Sequence, residues 1–295
     1  MSADEIPVRL YGLRRSTVPI LTTLCILFTV FTLVPLLWIV INATKTQANI
    51  FESFGFWFAK PFVLFRNLSL LSVNVDGEGT YTQWLANTAL YAALGGVGAS
   101  ALSAFAGYGF ALFPFRGSRG LFLTIIAALL VPITAITLPL YLVYAKVGLI
   151  NSIWGMILPC LVSPVGVYLM RVYIRSSVPT ELVDAARIDG AGEVRIFFRL
   201  ALPLMMPGLM TVFLLTVVSI WNNYFLPLLI FSQSNLYPLT VGIGLWANRA
   251  QNSGDEVLFP LVVTGGLVTI IPMIALFLLV QRYWRGGMLL GSIAN

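Results

Sequence analysis

The sequence has no histidine, two cysteines in 295 residues, and few charges. Its 17 Lys and Arg and 11 Asp and Glu make up 9% of the chain, where globular proteins carry roughly 25%. Each shortage removes a class of function. With no histidine, and with Cys25 and Cys160 both inside long apolar runs, neither a zinc centre nor a disulfide framework is expected. None of Lys45, Lys60 and Lys146 follows a glycine as a phosphate-cradling loop requires, so nucleotide hydrolysis is not expected of this chain. With 59% hydrophobic residues and a mean hydropathy of +0.92, a water-soluble fold would expose apolar patches that soluble proteins avoid.

The sequence is rich, by contrast, in long uncharged runs. A helix needs about 20 apolar residues to cross a bilayer core, at about 1.5 Å of rise per residue. The uncharged runs predict six transmembrane helices near 17–42, 84–112, 120–144, 152–170, 206–231 and 257–281. The fold class is therefore all-α and polytopic. Residues 1–16 form a cytoplasmic N-terminus, 17–281 the six-helix domain with a cytoplasmic loop at 176–203, and 282–295 a cytoplasmic tail. Pro238, Gly242 and Gly244 interrupt the segment 236–246, which reads as a loop or partly inserted turn. Gly95, Ala99, Ser103 and Gly107 form a small-residue ridge suited to close helix packing, within the bundle or, as the alternative, against a partner protein.

Cytoplasmic segments collect Lys and Arg. With the N-terminus inside, the cytoplasmic segments hold twelve of the seventeen basic residues and six acids, and the outer segments five of each, so the whole net charge of +6 is cytoplasmic. The basic balance reflects topology, and no nucleic-acid partner is expected. The spans contain no ionisable Asp, Glu, Lys, Arg or His, which argues against a proton-coupled carrier working alone. Energy for uphill work would have to enter through another subunit.

The cytoplasmic loop 171–204 carries nine charges. Pro179 suits a first helical turn, Glu181 and Asp184 suit its positive end, and Gly190 followed by Ala191 and Gly192 stops it. Leu182, Ala185, Ala186 and Asp189 then share one face as a small, mildly apolar knob between carboxylates. A second short helix is expected over 193–202, with Ile196, Phe197, Leu200 and Ala201 on its apolar side and Pro203 ending it.

Asp184-Ala185-Ala186-Arg187-Ile188-Asp189-Gly190-Ala191, followed by Phe197 or Phe198 and then Leu202-Pro203, resembles the EAA loop of ATP-binding-cassette importer permeases. Asp184 departs from the glutamate usual in that family and shortens the reach of the carboxylate by one methylene. The six spans and Trp221-Asn222-Asn223-Tyr224-Phe225 resemble carbohydrate permeases, in particular the smaller subunit of maltose-type systems. The resemblance implies a type I importer fold and a multi-pass location in a bacterial or archaeal inner membrane. It implies four kinds of partner: a second homologous permease subunit, an ATPase dimer, an extracytoplasmic substrate-binding protein and the lipid bilayer. It further implies that Glu181, Asp184, Ala185, Ala186, Asp189, Gly190 and Ala191 form the coupling helix that docks on the ATPase. ATP and Mg would be bound and hydrolysed by that partner, with no cofactor on this chain.

Sugars are bound by aromatic faces together with amide and hydroxyl groups, so Trp221, Asn222, Asn223 and Tyr224 are candidates for a substrate path. A neutral sugar or oligosaccharide is the expected cargo. A phosphorylated polyol or acidic oligosaccharide is the alternative, and an autonomous carrier a more distant one. The outer segment 45–83, rich in Phe and Trp, reads as lying on the membrane surface. Either it or 232–256 would reach a binding protein.

Overall fold

The computed structural model describes residues 17–75, 77, 79–253 and 257–291. The expected N-terminal segment 1–16 and the last residues of the tail, 292–295, lie outside them. Among the described residues the chain is helical throughout, with no strand. In order the helices are α1 (Thr17–Asn42), α2 (Gln47–Glu52), α3 (Leu64–Leu70), α4 (Tyr81–Leu112), α5 (Ser118–Ala128), α6 (Ile133–Val147) and α7 (Ile153–Cys160). They continue with α8 (Pro164–Ser177), α9 (Thr180–Ile188), α10 (Glu193–Ile196), α11 (Leu202–Trp221), α12 (Phe225–Ile230), α13 (Leu239–Ser253) and α14 (Leu258–Gly291).

Five runs are long and apolar enough to cross a membrane: Val18–Asn42, Tyr81–Leu112, Ile153–Ser177, Glu193–Trp221 and Leu258–Tyr283. The sixth expected span, 120–144, is built as two shorter helices, α5 and α6. The cause is Pro132, which disfavours helical geometry at the residue before it and caps α6 in extended conformation. The fourth span breaks for the same reason. Ser163 precedes Pro164, is held extended, and accepts from the Gly166 amide at 3.1 Å as an N-cap, with Pro164 in the first turn of α8.

Three expectations need correcting. Segment 236–246 is largely helical, lying within α13. Pro238 precedes that helix, its carbonyl accepting from the Val241 and Gly242 amides, and Gly242 admits the Trp84 ring, which a Cβ would meet at 2.0 Å. The fifth span ends at Trp221 instead of running to 231; Asn222 and Asn223 turn the chain before α12. Pro203 does not stop the second cytoplasmic helix. A π turn over Phe197–Ala201, in which the Leu202 amide bonds to the Phe197 carbonyl, joins α10 to α11 without a gap. A widened turn of this kind accommodates a residue with no amide to donate.

At the centre stands α4, packed chiefly on α8 and α11 and also on α7 and α13. Its small-residue ridge makes these approaches possible within the bundle: Gly107 faces the backbone of Met170 and Arg171, and Gly95 faces Ile220 and Cys160. Near its other end, Asn87 and Tyr91 donate to the carbonyls of Asn235, Tyr237 and Leu236, and the Thr88 hydroxyl accepts from the Leu239 amide at 2.7 Å. The bundle thus has two distinct ends, one with α2, α3 and α13, the other with 113–117, α9 and α10. In contrast to α4, α1 packs mainly on α14, and most of its large apolar side chains are exposed.

Candidate functional site

At the second end, α9 is closed by hydrogen bonds that its sequence anticipates. Gly190 adopts φ +81°, its amide donates to the Arg187 carbonyl at 3.0 Å, and the Ala191 amide donates to the Ala186 carbonyl at 3.0 Å. This is a Schellman stop, and glycine is the residue that takes a left-handed conformation without strain. Arg187 locks the next segment against it. Its guanidinium grips both oxygens of Glu193, at 2.6 and 3.3 Å, and Asp184 at 2.9 Å. Glu193 first, then Asp184, hold this guanidinium above its ordinary range, opposed by desolvation.

Of the residues expected on the knob, Glu181, Leu182, Asp184, Ala185, Asp189 and Gly190 are exposed, while Ala186 and Ala191 are half-buried against the core. In their place the outer surface gains Ile188, 87% exposed, and Val194, 73% exposed. Ile188 was missed because periodicity assigned it no face; the signal available was its position three residues beyond Ala185, two before the glycine stop.

Beneath α9, Val183 joins a buried cluster with Ile174, Val178, Ile196, Phe197 and Met205. Phe197 stacks on Phe105 at 4.6 Å and meets the Tyr108 ring edge-on at 5.1 Å, and Arg187 lies 5.6 Å from the Phe113 ring. The exposed helix is thereby joined, through this cluster, to α8, to the start of α11 and to α4. Close-packed interiors transmit displacement instead of absorbing it.

Further along the bundle is a cavity of about 290 Å³. The break at 161–163 forms one wall, with Pro159, Cys160 and Ser163, and α11 forms the other. Thr216 and Ser219 line it from α11, one turn apart, and Asn223 continues the polar stripe from the turn that follows the helix. The Thr216 hydroxyl bonds to the Val212 carbonyl at 2.8 Å. No charged residue is among the described lining.

The four residues of the expected substrate path are not brought together. Asn223 lines the cavity. Trp221 is buried in the core cluster that also holds Trp84 and Trp246, with its Nε1 lacking a partner among the described residues. Asn222 donates to the Val218 carbonyl at 2.8 Å, and Tyr224 packs against Gly244. Thr216 and Ser219 were missed, although the spacing 216, 219, 223 was open to view.

Residues 96–285 match the family described as the binding-protein-dependent transport system inner membrane component. The chain is similar to the arabinooligosaccharides transport system permease protein AraQ of Halalkalibacterium halodurans, 33% identical over 73% of this chain and 75% of that protein. It is also similar to the lactose transport system permease protein LacG of Rhizobium radiobacter, 28% identical over 88% of this chain and 90% of that one. Among solved structures, a chain of a bacterial ABC transporter involved in the import of the acidic polysaccharide alginate superposes with a TM-score of 0.76. That likeness covers 92% of this chain and 99% of the other at 22% identity, and it shows the fold.

Proposed function

The chain belongs to the family of binding-protein-dependent transport system inner membrane components, and from that premise we propose that it is a membrane subunit of an importer for a neutral sugar or oligosaccharide, driven by a separate ATPase. The observation that carries this reading is α9: a short exposed helix, stopped by Gly190 and braced by Arg187, rooted in the helices that wall the cavity. Leu182, Ala185, Ile188 and Val194 offer an apolar surface that suits a groove on the ATPase, with Glu181, Asp184 and Asp189 flanking it for basic partners. Closure of two ATPase subunits would move α9 as a lever, and the cluster around Val183 and Phe197 would pass that movement to α4, α8 and α11.

A second, homologous permease subunit completes the pathway, and an extracytoplasmic binding protein delivers the cargo at the end bearing α13. Both termini lie in the cytoplasm, consistent with the basic residues that flank the α9 end. Neutral cargo is favoured over a phosphorylated or acidic one because the cavity offers hydroxyls and an amide and, among the described residues, no cation. The AraQ and LacG proteins, whose names specify arabinooligosaccharides and lactose, lend support to a carbohydrate.

Gly190→Val tests the coupling role. Nothing lies within 4 Å of a Cβ built at Gly190, so the change introduces no clash. It does force a β-branched residue to positive φ, at a cost of about 1–2 kcal/mol. Uptake in vesicles of the whole complex should fall to background while membrane insertion persists, and Gly190→Asn, which tolerates that conformation, should retain most of it. Full transport by Gly190→Val would refute the assignment.

A further inference from the structure

The end of α1 carries features that transport leaves unused. Lys45 is fully buried, and its ammonium donates to the Ser53 hydroxyl and the Phe54 carbonyl, each at 3.0 Å. No carboxylate pairs with it among the described residues. Asn42 donates to the carbonyls of Trp38 and Gly55, both at 2.8 Å, and Asn67 to those of Ala43 and Lys45 at 3.0 and 3.2 Å. The Val63 amide reaches the Thr44 carbonyl at 2.8 Å. These bonds tie α2, α3 and the segment between them to the end of α1.

Outward from that knot the chain presents aromatic rings. Phe51, Phe54, Trp57, Phe58, Phe62 and Phe65 are each more than half exposed, with Lys60 and Arg66 exposed among them. So many large rings in one stretch are not left in water. Their depth is set by α1, whose 26 residues extend about 39 Å against a hydrocarbon core of about 30 Å. The residues beyond Asn42 therefore emerge at headgroup level, where Trp and Phe rings beside Lys and Arg are favoured. The exposed apolar flank of α1 continues directly into this surface.

We propose that residues 51–66 form a rigid platform seated in the headgroup–acyl boundary of the leaflet at the α13 end, its ligand being the phospholipid interface, with buried Lys45 as the positioning residue that holds it at fixed depth. The unpaired ammonium suits this role, because it bonds only to groups of the platform itself and fixes the segment 53–54 over α1 without needing a second charge.

Spin labelling tests it on the full complex in nanodiscs, using a Cys25→Ala, Cys160→Ala chain carrying Phe54→Cys, Trp57→Cys or Phe65→Cys in turn. Labels at all three sites should collide severalfold more often with oxygen than with a water-soluble nickel chelate. Greater access to the chelate would place the segment in water, and shielding from both reagents would mean that a protein covers it; either result overturns the proposal. Adding Lys45→Met should sharpen the spectrum of the Trp57→Cys label while that of a Leu94→Cys label on α4 is unchanged, and Lys45→Arg should restore it. An unchanged Trp57→Cys spectrum in Lys45→Met would remove Lys45 from the scheme. Loss of the assembled complex in Lys45→Met, with recovery in Lys45→Arg, supports the same positioning role.

Discussion

Individual residues in this chain act through what they leave unpaired as much as through what they bond. Asn223 ends the polar stripe with a side-chain amide that has no partner among the described residues, facing the cavity. If that amide bonds a sugar hydroxyl, Asn223→Leu removes one hydrogen bond worth about 1 kcal/mol, or about a fivefold rise in KM for uptake, with Vmax little changed. Steady-state transport assays decide it, and an unaltered KM would take Asn223 out of the path. Asn223 could be picked out in the sequence because a polar residue in an apolar span needs a reason. Trp221 could not be assigned, since an aromatic ring in a span serves a core or a ligand equally well. In the structure Trp221 lies in the buried cluster that also holds Trp84 and Trp246.

Among the helices, the close contact of α4 with α8 depends on missing side chains. A Cβ at Gly107 would lie 2.6 Å from Met170 Cβ and 2.9 Å from the Arg171 amide nitrogen. Gly107→Ala should therefore destabilise the chain by about 1–3 kcal/mol, read as a lower unfolding midpoint in detergent. Two residues along, nothing lies within 4 Å of a Cβ at Gly109, and Gly109→Ala should hold or raise the midpoint. Equal midpoints would show that the ridge does not set the helix spacing. The ridge was evident from its four-residue spacing, and α9 from its proline start and glycine stop. The helix at α13 was not, because Gly242 reads as a breaker until the ring of Trp84 is seen to occupy the space of its missing side chain.

The whole molecule sets an exposed helix at one end and a cavity further along, and the proposed alternating access makes a coupling between them measurable. In the complex, Ser219→Cys on a background of Cys25→Ala and Cys160→Ala should react with a membrane-impermeant thiol reagent added at the α9 side without nucleotide. It should stop reacting when the ATPases are trapped closed. Identical labelling in both states would break the link between α9 and the cavity. Uncharged runs marked five of the spans, because burial of charge in lipid is costly, while the run 120–144 forms two shorter helices. Breaks inside spans left a weaker trace, since a proline either kinks or ends a helix depending on neighbours that sequence does not place. The π turn at Phe197–Ala201 is one such local choice, and its effect reaches the far end of α11. It slips one extra residue between α10 and α11, and one residue is about 100° of rotation. The hydrophobic phase that seats Ile196 and Phe197 beneath α9 is thus offset from the phase that aims Thr216, Ser219 and Asn223 into the cavity. The wide turn acts as a vernier between them: shorten it by one residue and the α9 end would keep its footing while the polar stripe swung out of the cavity.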